Sequence, residues 1–169
     1  MINVIKRFRG AGGSRPPHHG IRNVLLGGVG GFIAIGVLGY LGPSLGVMLL
    51  LGSFGASCVL VFGFPEAPFA QPLNVVVGHA ICATTGLAAL HWLGPNPWSL
   101  ALAVGASIVA MMATRTTHPP AGSNPVIVFL GHAGWGFLFF PVLSGAVILV
   151  LIGLFYNNSV RKTPYPNYW

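Results

Sequence analysis

Acidic side chains are almost missing from this 169-residue chain. Glu66 is the only Asp or Glu, against eight Lys and Arg, and charged residues make up 5% of the whole. A metal site built on carboxylates is thereby left without ligands, and His79, His91, His118 and His132 form no HxxxH or HExxH pair that could replace them. We expect no metal and no cofactor. An enzyme reading lacks a recognisable catalytic group, so the chain is expected not to be an enzyme. Cysteine is equally scarce: Cys58 and Cys82 both fall in apolar stretches, where they read as small core hydrophobes. Residues 1–23 contain neither the contiguous apolar core nor the cleavage site of a secretory signal, so this segment is expected to be retained. The glycine run "GGVGG" (27–31) is followed by no Lys-Ser/Thr, which removes a nucleotide loop and leaves close helix packing at Gly27 and Gly31.

What the chain has is apolar length. Hydrophobic residues reach 54% and the mean hydropathy is +0.79, values that belong in a bilayer. Lys6, Arg7, Arg9, Arg15 and Arg22 precede the first apolar run, and Arg161 and Lys162 follow the last. The positive-inside rule then places both ends in the cytoplasm and makes the number of crossings even. A net charge of +7 in this pattern sets topology and touches anionic headgroups; it does not point to nucleic acid.

Apolar stretches run over 24–41, 45–64, 73–93, 98–112, 121–130 and 137–156. The fifth is too short to span, because ten residues of helix are about 15 Å long. Sliding the chain by 67 residues aligns "GASCVLVF" (55–62) with "GSNPVIVF" (122–129) and gives nine identities in 33 ungapped pairs, among them Gly78/Gly145 and Gly86/Gly153. Three spans per half, an odd number, predict an inverted-topology repeat. The expected fold is all-α and polytopic: a basic arm (1–23), one transmembrane domain (24–156, repeats about 24–93 and 94–156) and a cytoplasmic tail (157–169). The second helix of each repeat is expected to be broken. Four spans with two re-entrant segments satisfy the same counts. The six-span threading puts Tyr40, Trp92, Trp98 and Trp135 at one interface.

The stretch "TRTTHPPAGSNPVIVF" (114–129) carries the candidate site. Pro119 and Pro120 cannot lie inside a continuous helix but suit the approach to a new one. Short helices are therefore expected to start near mid-membrane, at Gly55-Ala56-Ser57 in one half and at Ala121-Gly122-Ser123-Asn124 in the other. Helical N-termini expose unpaired N–H groups and suit an anion. Arg115, a cation among apolar segments, is either an anchor at a helix end or an attractor in the path, and His118 either caps backbone or touches substrate. His79 aligns with Ala146 and reads as a packing residue or a proton relay. Phe62 and Phe129 read as core packing or as gates.

At "RTTHPPAGSNPVIVF", "GSFGASCVLVFG" (52–63) and "QPLNVVVGHAICATTGLAAL" (71–90) the chain resembles the HPP family, in which His118, Pro119 and Pro120 are the name-giving motif. The likeness covers roughly residues 20–157 and is to bacterial and cyanobacterial members, which implies a bacterial plasma membrane. Descriptions of that family count four transmembrane helices. The resemblance implies an integral membrane protein, and nitrite transport is associated with some plastid and cyanobacterial relatives. The expected partners are a small anion such as nitrite, the bilayer and further copies of the chain. The alternative is a structural or regulatory membrane subunit without a substrate.

Overall fold

The computed structural model describes Phe8 and residues 13–169; Lys6, Arg7 and Arg9 of the expected basic arm lie outside the described residues. Among the described residues six α-helices follow one another: α1 (Ile21–Leu45), α2 (Gly52–Cys58), α3 (Pro72–Leu93), α4 (Pro97–Ala113), α5 (Asn124–Leu130) and α6 (Ser144–Val160). Wider π-type turns continue α2 over Val59–Gly63 and lead into α6 over Leu138–Leu143, and a 3-10 turn, Pro119–Ser123, leads into α5. No strand occurs among the described residues. The fold is that of a polytopic helical membrane protein.

Among the described residues three helices, Ile21–Leu45, Pro72–Leu93 and Leu138–Val160, are long and apolar enough to cross a bilayer. The 17 residues of α4 give about 26 Å, the short end of what a span needs. Local chemistry sets the ends. Asn96 caps α4 by accepting from Trp98 N and Ser99 N at 3.1 and 3.0 Å, with Pro97 in the first turn. At the end of α1, Gly46 adopts φ +67°, and Val47 N–H returns to Gly42 O. Arg115 closes α4 in the same way at φ +59°, with Thr116 N–H on Met111 O. A left-handed turn is natural for Gly46, and in Arg115 it costs about 1–2 kcal/mol.

Each helix that ends this way is followed by extended chain, with Leu51 at φ −130° and His118 at φ −132°, before helix resumes at Gly52 and at Pro119. The two restarts are 67 residues apart, whereas Gly46 and Arg115 are separated by 69, so the first copy has two more residues in its connecting segment. Both broken segments run from one end of the bundle to the other. Phe64 reaches the end where it meets His19 (ring centroids 5.0 Å), and Met48 and Leu50 lie in a cavity with Gly131 and Gly134 at the opposite end. Thr117 sits by Asn74 in the first turn of α3, while Trp135, just beyond α5, packs on His91 and Trp92 in its last turn. The described residues thus hold three helices of spanning length, the shorter α4, and two segments in which helix is interrupted. The first restart differs from expectation: α2 begins at Gly52, three residues before Gly55, since no proline delays it.

The ends of the described chain lie together. Arg22 donates to Val160 O at 2.9 Å and Tyr156 to Leu26 O at 2.9 Å. The tail beyond Val160 folds back over this end: Tyr165 is buried and donates to Ala70 O at 2.8 Å, and Asn167 N–H bonds Gln71 Oε1 at 2.8 Å. Burial pushes the Tyr165 phenol above its ordinary value, so it stays a neutral donor. Outward-facing surfaces are apolar, with Phe32, Leu130 and Phe155 largely exposed, as a lipid-facing surface requires. Phe62 and Phe129 are both buried in packed clusters.

Packing between the halves is reciprocal. A Cβ at Gly78 of α3 would lie 3.1 Å from Thr116 O, and a Cβ at Gly145 of α6 would lie 2.8 Å from Leu49 O. Leu49 plus 67 is Thr116, and Gly78 plus 67 is Gly145. The pattern recurs where Gly86 meets Val128 and Gly153 meets Val61. Each half therefore lays a long helix against the other half's broken span. Gly78→Ala and Gly145→Ala should each lower stability in detergent by about 1–3 kcal/mol through overpacking. Gly36→Ala, whose Cβ meets nothing within 4 Å, serves as the control in the same thermal melts.

Candidate functional site

The two broken spans meet in a buried chain of polar side chains. Ser57 lies in the second turn of α2, His118 ends the extended stretch before the 3-10 turn, Asn124 opens α5, and His79 projects from α3 between them. All four are buried, with Ser57, His79, His118 and Asn124 each at 0% exposure. Ser57 Oγ lies 2.8 Å from His118 Nε2 and 3.1 Å from His79 Nε2. Asn124 Nδ2 lies 2.9 Å from His79 Nδ1 and 3.2 Å from His79 O. His118 Nδ1 lies 2.6 Å from Phe69 O.

Proton positions follow from the two carbonyls. Phe69 O can only accept, so His118 Nδ1 carries the hydrogen and its Nε2 is left as an acceptor. The Asn124 amide donates to His79 O, and the same NH2 group faces His79 Nδ1, so that nitrogen accepts and His79 Nε2 carries the hydrogen. Ser57 then accepts from His79 and donates to His118. Ser53 O, at 3.1 Å, is a second acceptor for the same hydroxyl. Asn124 Oδ1 and Ser53 Oγ are buried without a hydrogen-bond partner among the described residues. Two acceptor-capable oxygens thus border the chain with capacity unused.

Apolar and backbone groups fix these side chains in place. Phe54 stacks edge-on against His79 with ring centroids 5.1 Å apart, and the two imidazoles are 5.2 Å apart. The extended stretch that delivers His118 is held by Asn74, whose amide donates to Thr117 O at 3.1 Å. Only glycine at 78 allows that stretch to pass, since a Cβ there would lie 2.9 Å from His118 Cβ.

Of the residues expected at the site, the structure brings Ser57, His118 and Asn124 together, with buried Ala121 in the turn between the last two. Ser57 and Asn124 are repeat equivalents. The others lie elsewhere. Gly55 and Ala56 are on the exposed side of α2, where Gly55 opens onto a groove of about 450 Å³ lined by Gly27, Gly28 and Gly31 of α1; Gly122 does not line it. One helical turn puts Ser57 on the inner face and Gly55 and Ala56 on the outer one. Gly122 is half-buried, and exposed Ser123 turns its hydroxyl back to Pro120 O at 2.8 Å. Arg115 is exposed at the end of α4, where its backbone closes the helix. His79 was not among the expected site residues, because its repeat partner is Ala146. A histidine two turns into α3 in an otherwise apolar stretch was the available signal.

Comparison with known proteins places this arrangement. Residues 16–166 match the family model described as HPP, transmembrane region. Two transmembrane proteins of Dictyostelium discoideum are each 36% identical over the whole of this chain, which covers 64% of one and 58% of the other. The chain thus spans about three fifths of the length of these relatives. No solved structure matches.

Removing the Asn124 amide strands His79 Nδ1. Asn124→Ala is expected to lower stability by about 1–3 kcal/mol, whereas Ser123→Ala should stay within about 0.5 kcal/mol. Thermal denaturation of the two purified variants side by side checks the difference.

Proposed function

The chain belongs to the HPP family of membrane proteins, and on that premise we propose that it moves a small inorganic anion, nitrite first among them, across the bilayer without converting it chemically. One observation carries this reading: two spans are interrupted at depth and their interruptions meet at a buried polar chain. Exposing backbone and polar groups at that depth is unfavourable unless they line a route or a site, and a scaffold gains nothing from breaking two helices. The donors there, Asn124 Nδ2, the Ser57 hydroxyl and the imidazole N–H groups, could replace part of the hydration of a monovalent anion. Glu66, the only carboxylate side chain, is exposed in the connection before α3 and sets no negative charge at the junction.

The reciprocal glycine contacts support a two-fold relation between the halves. Because α1 starts at one end of the bundle and α4 at the other, we read that relation as an inverted repeat. From the basic flanks we infer that both ends face the cytoplasm of a bacterial cell, and a homo-oligomer is part of the same reading. A second reading, a membrane subunit without cargo, is favoured by the way Ser57, His79, His118 and Asn124 bond one another and close the junction.

Proteoliposomes given gradients of nitrite, nitrate, chloride and formate decide between the two. Saturable nitrite flux is expected; no flux of any of the four anions would leave the subunit reading. Arg115→Gln is expected to slow flux and Arg115→Lys to restore much of it, if the exposed charge concentrates anions at the entrance. Unchanged flux in the glutamine variant would reduce Arg115 to its helix-closing role. Cysteines at Asn96 and Gly134 are expected to react with impermeant reagents from outside intact cells, and labelling from the cytoplasmic side alone would reverse the orientation.

A further inference from the structure

We infer that the Ser57–His79–His118 chain is a binding site for a single proton, and that its loading is coupled to anion movement. The coupling rests on the transport reading above; the proton site does not. The geometry permits one added proton with little movement. In the neutral arrangement every bond runs the same way, from Asn124 through His79 and Ser57 to His118 and on to Phe69 O. A proton arriving at His118 Nε2 turns that acceptor into a donor facing Ser57 Oγ. The hydroxyl hydrogen then rotates to Ser53 O, 3.1 Å away, and the serine oxygen accepts from both rings. One hydroxyl rotation completes the change, and no covalent bond forms or breaks beyond that of the proton to nitrogen.

A second proton finds no such provision. His79 Nδ1 faces the Asn124 amide hydrogens and donates only if that amide turns over, which would set its acceptor oxygen against the His79 carbonyl in place of the present donor. Two imidazolium rings 5.2 Å apart would also repel. The chain therefore holds one charge. Surrounding elements contribute few competitors: Cys58 on α2, Cys82 on α3, Glu66 and Arg115 on the two connections, Tyr156 on α6, and Tyr165 and Tyr168 from the tail. None of these is hydrogen-bonded to either ring among the described residues, and α4 and α5 carry no titratable side chain. A positive charge at the junction would offer an anion its counter-charge in a membrane interior that otherwise supplies none, so proton and anion would travel as a neutral pair.

The test has two arms. In the first, full-length protein labelled with 15N-histidine, its exposed His18, His19, His91 and His132 replaced by Gln, is titrated by NMR in lipid nanodiscs. One ring should start with hydrogen on Nδ1 and the other on Nε2, and acidification should doubly protonate one ring while the other stays neutral. Two rings neutral until unfolding, or two charging together, would overturn the site. In the second arm, proteoliposomes carrying an internal pH dye receive nitrite or nitrate with the outside more acidic, and protein-free vesicles report the leak of undissociated acid. An electroneutral pair accumulates the anion about tenfold per pH unit of gradient, with acidification inside in step, and Ser57→Ala should abolish that response. Anion flux without proton movement overturns the coupling and leaves transport standing. No flux at all sinks the transport reading and the coupling with it, while the NMR titration still decides the proton site.

Discussion

Backbone that leaves the helical hydrogen-bond ladder inside a bilayer must find its partners within the protein, because lipid offers none. Two stretches of this chain do so, and much of the surrounding structure answers that demand. Asn74 satisfies the carbonyl of Thr117, the turn at Arg115 bonds Thr116 N–H back to Met111, and Phe54 N–H returns to Leu51 O. The same demand gathers the polar side chains. Ser57, His79, His118 and Asn124 are costly in hydrocarbon as individuals, and become tolerable as a bonded set.

Proximity of the halves is the second consequence. Extended chain is thinner than helix, but it passes Gly78 and Gly145 at distances that exclude any side chain on the neighbouring helix. Glycine is thus needed on a helix interior, where it is otherwise unfavourable by about 1 kcal/mol. The exchange of contacts, first half to second and second to first, makes the bundle one cooperative unit rather than two three-helix bodies side by side.

Much of this was legible in the amino-acid sequence because prolines and repeats report on the backbone directly. Pro119 and Pro120 mark the second break, and the 67-residue offset carries it to the first, where Ser57 and Asn124 emerge as equivalents. The six stretches read from apolar length each fall on a helical segment of the structure. The remainder was hidden for physical reasons. The offset changes from 69 to 67 between the helix ends and the restarts, so the halves cannot be aligned upstream without a gap. Which side of α2 faces inward depends on packing, and this turned Gly55 and Ala56 away from the junction. The repeat equivalent of His79 is Ala146, so the symmetry of the halves supplied no polar partner to mark it. The docking of the tail through Tyr165 and Asn167 rests on side-chain bonds to Ala70 O and Gln71, which no periodicity announces.

The crossed packing has a bearing on biogenesis. While the ribosome is still making the second half, α2 and its π-type continuation amount to 12 residues of helix, Gly52–Gly63, about 18 Å, too short to bridge the hydrocarbon alone. Their partner, α6, is synthesised after all the other described helices. The first broken span must therefore wait at the interface, or pair provisionally with α1, until α6 emerges. Its final seating is then a step that follows translation, and lateral insertion helix by helix does not describe how this bundle closes.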